Sequence, residues 1–305
     1  MSNKVKLSLK ILVSTVLLGY IFYNNDLSNI GKIISSSDLN LVLVAILLVI
    51  INYVFSSIRW YFLLLEKQRP PIIYMIKLYF VGSFFNNFLP TSIGGDAYKI
   101  YKLGEKIASK TNAFTATFLE RFIGMFALII ISLYGYLTFS GVEVLSFVII
   151  FILGFLAFFL FMIFYPKYTY KPAKLSKFFE IIDRIHLSFL RYKNHKKIIF
   201  YSLLSSFVIQ IASIFTQYFV FLSLSTQIPL NYAFFAFPLI FLSGYAIPSV
   251  NSLGSQEILY TTFFTNLGVP IGTIISASFL YHFVRLVVSL IGAYYYINDK
   301  EYIKK

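Results

Sequence analysis

Two short polar runs stand out in an otherwise apolar chain, and each ends on a carboxylate. The first is Asn86-Asn87-Phe88-Leu89-Pro90-Thr91-Ser92-Ile93-Gly94-Gly95-Asp96. The second is Ala246-Ile247-Pro248-Ser249-Val250-Asn251-Ser252-Leu253-Gly254-Ser255-Gln256-Glu257. Pro, Ser and Gly break helices, so both runs are irregular backbone. Ser92, Gly94 and Gly95 in one, and Ser252, Gly254 and Ser255 in the other, can present several backbone N–H groups to an anion, and glycine lets the backbone approach it closely. Asp96 and Glu257 follow where a helix restarts. A carboxylate there caps the helix or, alternatively, binds a cation or proton whose movement is coupled to that of a ligand.

Three more ionisable residues sit deep in apolar stretches. Glu120 and Arg121 are roughly 13–15 Å into the run 111–139 at 1.5 Å per residue, and Arg285 is central in 271–297. A charge at mid-bilayer costs about 2.5–3.5 kcal/mol on insertion scales, so it has a partner or a purpose. The expected partner of Glu120 is Arg285 or Arg121. Adjacent residues point about 100° apart on a helix, so Glu120 and Arg121 cannot both face one partner squarely, which leaves one of them structural and the other free for a ligand. Arg59, near a span end, is expected to snorkel to the interface, and His282 to be a hydrogen-bonded packing histidine. The candidate ligand contacts are therefore Ser92, Gly94, Gly95, Arg121, Ser252, Gly254, Ser255 and Arg285. The candidate coupling or gating groups are Asp96, Glu120 and Glu257.

The elements that position these residues follow from composition. The 305 residues are 58% hydrophobic and 12% charged, against about 25% charged in soluble domains, which makes the chain a polytopic membrane protein. Full spans are expected at 11–23, 39–65, 111–139, 144–165, 198–225 and 271–297, with broken regions at 72–98 and 232–268. The formal charge of +14 is a topology signal, not a nucleic-acid footprint. All Lys and Arg except Lys32, Arg59, Arg121 and Arg285 fall on one side of this scheme, which by the positive-inside rule is cytoplasmic. Both termini are then inside a multi-pass cytoplasmic membrane protein. Lys67 and Arg69 precede the first broken region and Lys99 and Lys102 follow it, so it enters and leaves from the cytoplasm. The second has no basic flank and enters from outside.

The expected fold is thus all-α, with about six full spans plus two re-entrant helical hairpins of opposite orientation, eight hydrophobic regions in all. It is a single membrane domain over 1–305, an inverted repeat with halves at about 39–139 and 198–297. Between them a basic loop, 166–197, carries an apolar stripe (Leu175, Phe178, Phe179, Ile182, Ile185, Phe189, Leu190) that reads as an interfacial helix on anionic lipid.

Several functions are excluded or left without support. With no cysteine and three histidines, neither disulfide chemistry nor a metal site is expected. No G-x-S-x-G, H-E-x-x-H or P-loop pattern occurs, and no cofactor or catalytic residue is assigned. The expected partners are membrane lipids with anionic headgroups, not nucleic acid, with a second copy or an envelope-biosynthesis protein as the protein partner.

The run Gly82 to Asp96 resembles the signature of the lysylphosphatidylglycerol synthase transmembrane-region family, whose members are called flippase-like. Leu119-Glu120-Arg121-Phe122 and the stretch from Pro248-Ser249 to Gly254-Ser255-Gln256-Glu257 are similar to two further blocks in the same order, although Ser255 and Gln256 stand where related sequences more often have Gly and Arg. The resemblance covers essentially the whole chain. It implies the lipid-translocating part of the synthase without its soluble aminoacyl-transfer domain. Some relatives carry a glycosyltransferase label, so a membrane-embedded glycosyl or lipid transferase and an accessory subunit of lipid or envelope biosynthesis remain the alternatives.

Overall fold

The structure, a computed structural model, describes residues 27–64, 69–88, 94–139, 195–246 and 254–299, with isolated positions between them such as Tyr192 and Ser252. The described residues form helices and no strands. They are α1 (Leu27–Ser35), α2 (Leu39–Phe62), α3 (Ile72–Phe88), α4 (Gly94–Lys106), α5 (Lys110–Thr138), α6 (Lys196–Ser223), α7 (Leu230–Ala246), α8 (Ser255–Phe264) and α9 (Ile271–Asn298), with a 3-10 turn at Thr265–Leu267.

Four helices, α2, α5, α6 and α9, are long and apolar enough to cross a membrane. Their 24 to 29 residues give about 36–44 Å at 1.5 Å per residue, enough for a hydrocarbon core of about 30 Å. Their ends agree with the expected spans to within three residues. Asp38 starts α2 by accepting the Asn40 N–H at 2.8 Å, and Ser109 starts α5 by accepting from Asn112, as short polar caps do. The expected spans 11–23 and 144–165 and the amphipathic stripe in 175–190 lie outside the described residues, apart from isolated positions. Helix α1, read from the sequence as part of a loop, packs Ile30 against Ile275 of α9.

The two broken regions are helical hairpins. In the first, α3 and α4 run antiparallel: the Tyr74 hydroxyl donates to the Lys102 carbonyl at 3.3 Å near the open end, and Asn86 Oδ1 accepts the Gly95 N–H at 2.8 Å near the tip. Glycine sets the spacing, because a Cβ at Gly95 would lie 1.9 Å from the Gly82 carbonyl oxygen. In the second, the Tyr232 hydroxyl donates to Phe263 O at 2.5 Å, and Phe237 faces Tyr260 with ring centroids 6.1 Å apart. The arms α3 and α7 have 17 residues each, about 25 Å of helix. The first hairpin continues to Lys106, eight residues beyond the expected boundary, because α4 keeps an inward stripe of Asp96, Lys99, Lys102 and Leu103.

The halves are cross-packed. α2 and α6 run antiparallel, joined by Asn52 Nδ2 donating to Ile209 O (3.0 Å) and Ser213 Oγ (2.6 Å), while at the far end the Asp38 N–H donates to Ser223 O. α5, from the first half, packs on α7 of the second: a Cβ at Gly135 would lie 2.3 Å from the Phe235 nitrogen, and Asn231 donates to Thr138 O. α9, from the second half, packs on α3 of the first: a Cβ at Gly292 would lie 2.0 Å from the Phe80 carbonyl oxygen. Each hairpin is therefore held by the last long helix of the opposite half, and both contacts depend on a glycine.

Gly292→Val is expected to lower stability by about 1–3 kcal/mol through overpacking, read as a fall in melting temperature of the detergent-purified protein. Gly31→Ala, where a Cβ meets nothing within 4 Å, should leave the melting temperature unchanged.

Candidate functional site

The cross-packing borders a partly open cavity of about 240 Å³. Both hairpins reach it, the first through Tyr79, Asn86 and Lys99, the second through Ser252 and Gln256. The long helices contribute Arg59 from α2, Glu120 and Arg121 from α5, Gln210 from α6, and Tyr281 and Arg285 from α9.

One wall is a chain of alternating charges. Arg121 Nη2 lies 2.7 Å from Asp96 Oδ2, and Arg121 Nε donates to the same oxygen at 2.8 Å. Lys99 Nζ lies 2.9 Å from Asp96 Oδ1 and 3.7 Å from Glu120 Oε2. Arg59 Nη2 donates to Glu120 Oε1 at 3.1 Å, and the Tyr79 hydroxyl donates to the same oxygen at 2.8 Å. Lys99, Glu120, Asp96 and Arg59 are all buried. The Lys99 ammonium also sits 4.0 Å from the Tyr79 ring centroid and 5.0 Å from that of Trp60, a cation–π arrangement that offsets part of the lost hydration. Gly82 makes room for it, since a Cβ there would lie 2.6 Å from Lys99 Cγ.

The opposite wall differs. Arg285 is half-buried, with its guanidinium 5.6 Å from the Tyr281 ring centroid and beside the Tyr53 phenol. No described carboxylate is within ion-pair distance of it. Gln256 is buried, and its amide nitrogen lies near the Tyr260 hydroxyl without completing a hydrogen bond.

Glu257 is fully buried one residue further on, and it does not line the cavity. Its Oε2 accepts the Gly254 N–H at 2.7 Å, so it caps α8. Its Oε1 accepts the Ser278 hydroxyl at 3.1 Å and lies 3.2 Å from His282 Nε2, outside hydrogen-bond geometry. Gly254 has φ +85°, which suits glycine at this turn.

The structure brings Arg121, Arg285, Glu120 and Ser252 to the one cavity, with Asp96 behind Arg121. Gly94 and Gly95 begin α4, and Ser255 begins α8, its hydroxyl donating to Ser252 O. The Gly95 and Gly254 N–H groups are taken by Asn86 and Glu257. Ser92 lies outside the described residues. The pairing of Glu120 differs from expectation: its cations are Arg59 and Lys99, not Arg121 or Arg285. Arg59 does not snorkel outward, because Glu120 and the Ser206 hydroxyl, 2.7 Å away, hold it inside. Lys99, counted from sequence with the cytoplasmic lysines, turns inward. Its sequence signal is the i,i+3 spacing from Asp96 on α4 opposite Gly82.

The family model described as Lysylphosphatidylglycerol synthase TM region matches residues 7–292. The chain belongs to this family. Membership makes it a membrane protein, in keeping with the four apolar helices, and described residues of all three sequence blocks that carry the family resemblance line the cavity: Asn86, Glu120, Arg121, Ser252 and Gln256. Among curated proteins no similar sequence was found.

Removing one member of a buried ion pair leaves an uncompensated charge. Glu120→Ala, which strips Arg59 of its carboxylate, is expected to destabilise the protein by about 3–5 kcal/mol. The Arg59→Met/Glu120→Met double variant should cost less than the sum of the single changes in the same thermal-melting measurement.

Proposed function

We propose that this protein moves the anionic headgroup of a lipid across the cytoplasmic membrane, with the central cavity as its transient binding site. The observation that carries this reading is the cavity itself, which draws on both hairpins and is lined by four cations (Arg59, Lys99, Arg121 and Arg285). A polar cavity set among apolar helices gives a charged headgroup the partners that hydrocarbon withholds.

In this reading the hairpins are re-entrant, the first from the cytoplasmic side and the second from outside, and the halves are an inverted repeat. The positive-inside distribution supports the first point, and the reciprocal clamping of each hairpin by the opposite half supports the second. Such repeats place substrate near the midplane at their interface, with broken helices at the site. Rocking the halves about the antiparallel α2–α6 contact would expose the cavity to each side in turn.

A membrane-embedded transferase is less well supported. Its general base would be Asp96 or Glu120, and each is already engaged by two cations.

The full chain reconstituted in liposomes should accelerate transbilayer movement of a short-chain fluorescent anionic phospholipid, read by quenching from one side. Arg121→Ala and Arg285→Ala proteins that melt like the parent should be slower by about tenfold or more, the loss expected when a charge-assisted contact to phosphate is removed. Parental rates in both variants would remove the cavity from the path.

A further inference from the structure

We infer that Glu257 and His282 form a proton-binding site that sets how firmly the tip of the second hairpin is held against the cavity. This rests on the headgroup-site reading above and adds a regulator to that site.

The pair is buried and isolated. Glu257 is fully buried, and its Oε1 lies 3.2 Å from His282 Nε2. The histidine keeps 10% of its side-chain surface exposed, so it is the more accessible member. Neither ring nitrogen completes a hydrogen bond to a described residue. A buried carboxylate without a cation is costly, and so is a buried polar ring whose nitrogens are idle. One proton taken from water onto a ring nitrogen lone pair answers both costs, because it makes the ring a cation beside the carboxylate. Imidazole is the side chain that ordinarily gains and loses a proton between pH 5 and 8.

No neighbouring group supplies that charge in its place. Among the described residues, α7 carries no charged side chain, and Glu257 is the one carboxylate on α8 and α9. Arg285, one turn after His282 on α9, turns to the Tyr281 ring and the Tyr53 phenol. Arg59 of α2 is paired with Glu120, and Lys77 of α3 with Asp299. Lys32 belongs to α1, which packs on the first turns of α9, and Lys196 and Lys197 open α6. Tyr260 on α8 and Tyr281 on α9 are phenols, which ordinarily titrate near pH 10.

The pair governs the tip because Glu257 is also its cap. Glu257 Oε2 accepts the Gly254 N–H at 2.7 Å, and Ser252 and Gln256, on either side of Gly254, line the cavity. The turn is strained: Ser252 has φ +63°, a left-handed conformation that a non-glycine residue keeps only where its surroundings hold it. With the proton bound, Glu257 is anchored between His282 and Gly254 and fixes the turn. With the proton gone, the carboxylate is drawn toward water, the cap loosens and the turn relaxes, which opens this side of the cavity.

The chain has no cysteine, so Ser252→Cys places a single thiol at the tip. The full chain in phosphatidylcholine nanodiscs is treated with a water-soluble methanethiosulfonate between about pH 5.5 and 8.5, a range that brackets ordinary imidazole titration. Each rate is divided by that of the same cysteine in a His282→Gln background, which cancels the ionisation of the thiol itself; His282→Asn gives the same comparison if the Gln variant does not fold. The ratio is expected to rise about tenfold from acid to alkaline pH, the scale of losing one charge-assisted contact. Glu257→Gln keeps an oxygen for the Gly254 N–H and removes the charge, so its ratio should stay low and flat. A parental ratio that does not change with pH, or a Glu257→Gln protein that keeps the parental pH dependence, overturns the proton site. The readout involves no lipid movement, so that failure leaves the headgroup reading standing. Parental lipid-movement rates in Arg121→Ala and Arg285→Ala would instead remove the headgroup reading and leave the proton site.

Discussion

The buried ammonium of Lys99 is the interaction on which the rest of the structure depends. It lies between Asp96 of its own helix and Glu120 of α5, over the rings of Tyr79 from α3 and Trp60 from α2. Through Glu120 it reaches Arg59, and through Asp96 it reaches Arg121. One cation thus ties both arms of the first hairpin to two long helices. In a low-dielectric interior such a network is stable only when every member is compensated, so the positions of these helices are fixed by charge as well as by packing. The second hairpin has a smaller counterpart: Glu257 caps α8 and reaches Ser278 and His282 on α9. The two hairpins differ in chemistry, and that difference gives the cavity one highly charged wall and one with a single cation.

Much of this was legible in the sequence. The long helices are uninterrupted apolar runs whose lengths match a bilayer, so α2, α5, α6 and α9 were found within a few residues. The hairpins were legible because Pro and Gly in a membrane segment contradict the continuous helix that hydrocarbon demands. Partner assignment was harder. Glu120 and Arg121 are adjacent yet bond in different directions, one to α2, α3 and α4 and the other to Asp96 of α4. Nothing in local spacing shows that Arg59, some sixty residues earlier, would be the counterion. Lys99 was misread for a related reason: the positive-inside count treats a lysine between spans as solvated, and only the absence of a side chain at Gly82, on the facing helix, reveals the space that draws it inward.

The exchange of clamps between halves makes the cavity a property of the whole chain. α5 closes against α7 and α9 against α3, while α2 and α6 form the shared spine. A change in either half is felt at the hairpin of the other. Coupling between distant sites requires an element that both of them bias, and the glycine contacts at Gly135 and Gly292 are where such an element meets each hairpin.

That exchange also has a consequence for synthesis. The first hairpin is complete once Lys106 has been made, but its clamp, α9, does not begin until Ile271. At about 5–20 residues per second, the hairpin waits on the order of ten seconds or more with Phe80 and its neighbours uncovered and five charges committed to a network that is only partly enclosed. The second hairpin has no such wait, because α5 is already in place when α7 emerges. The order of the helices therefore makes the earlier, more heavily charged half the one most exposed to quality control while the chain is still being made.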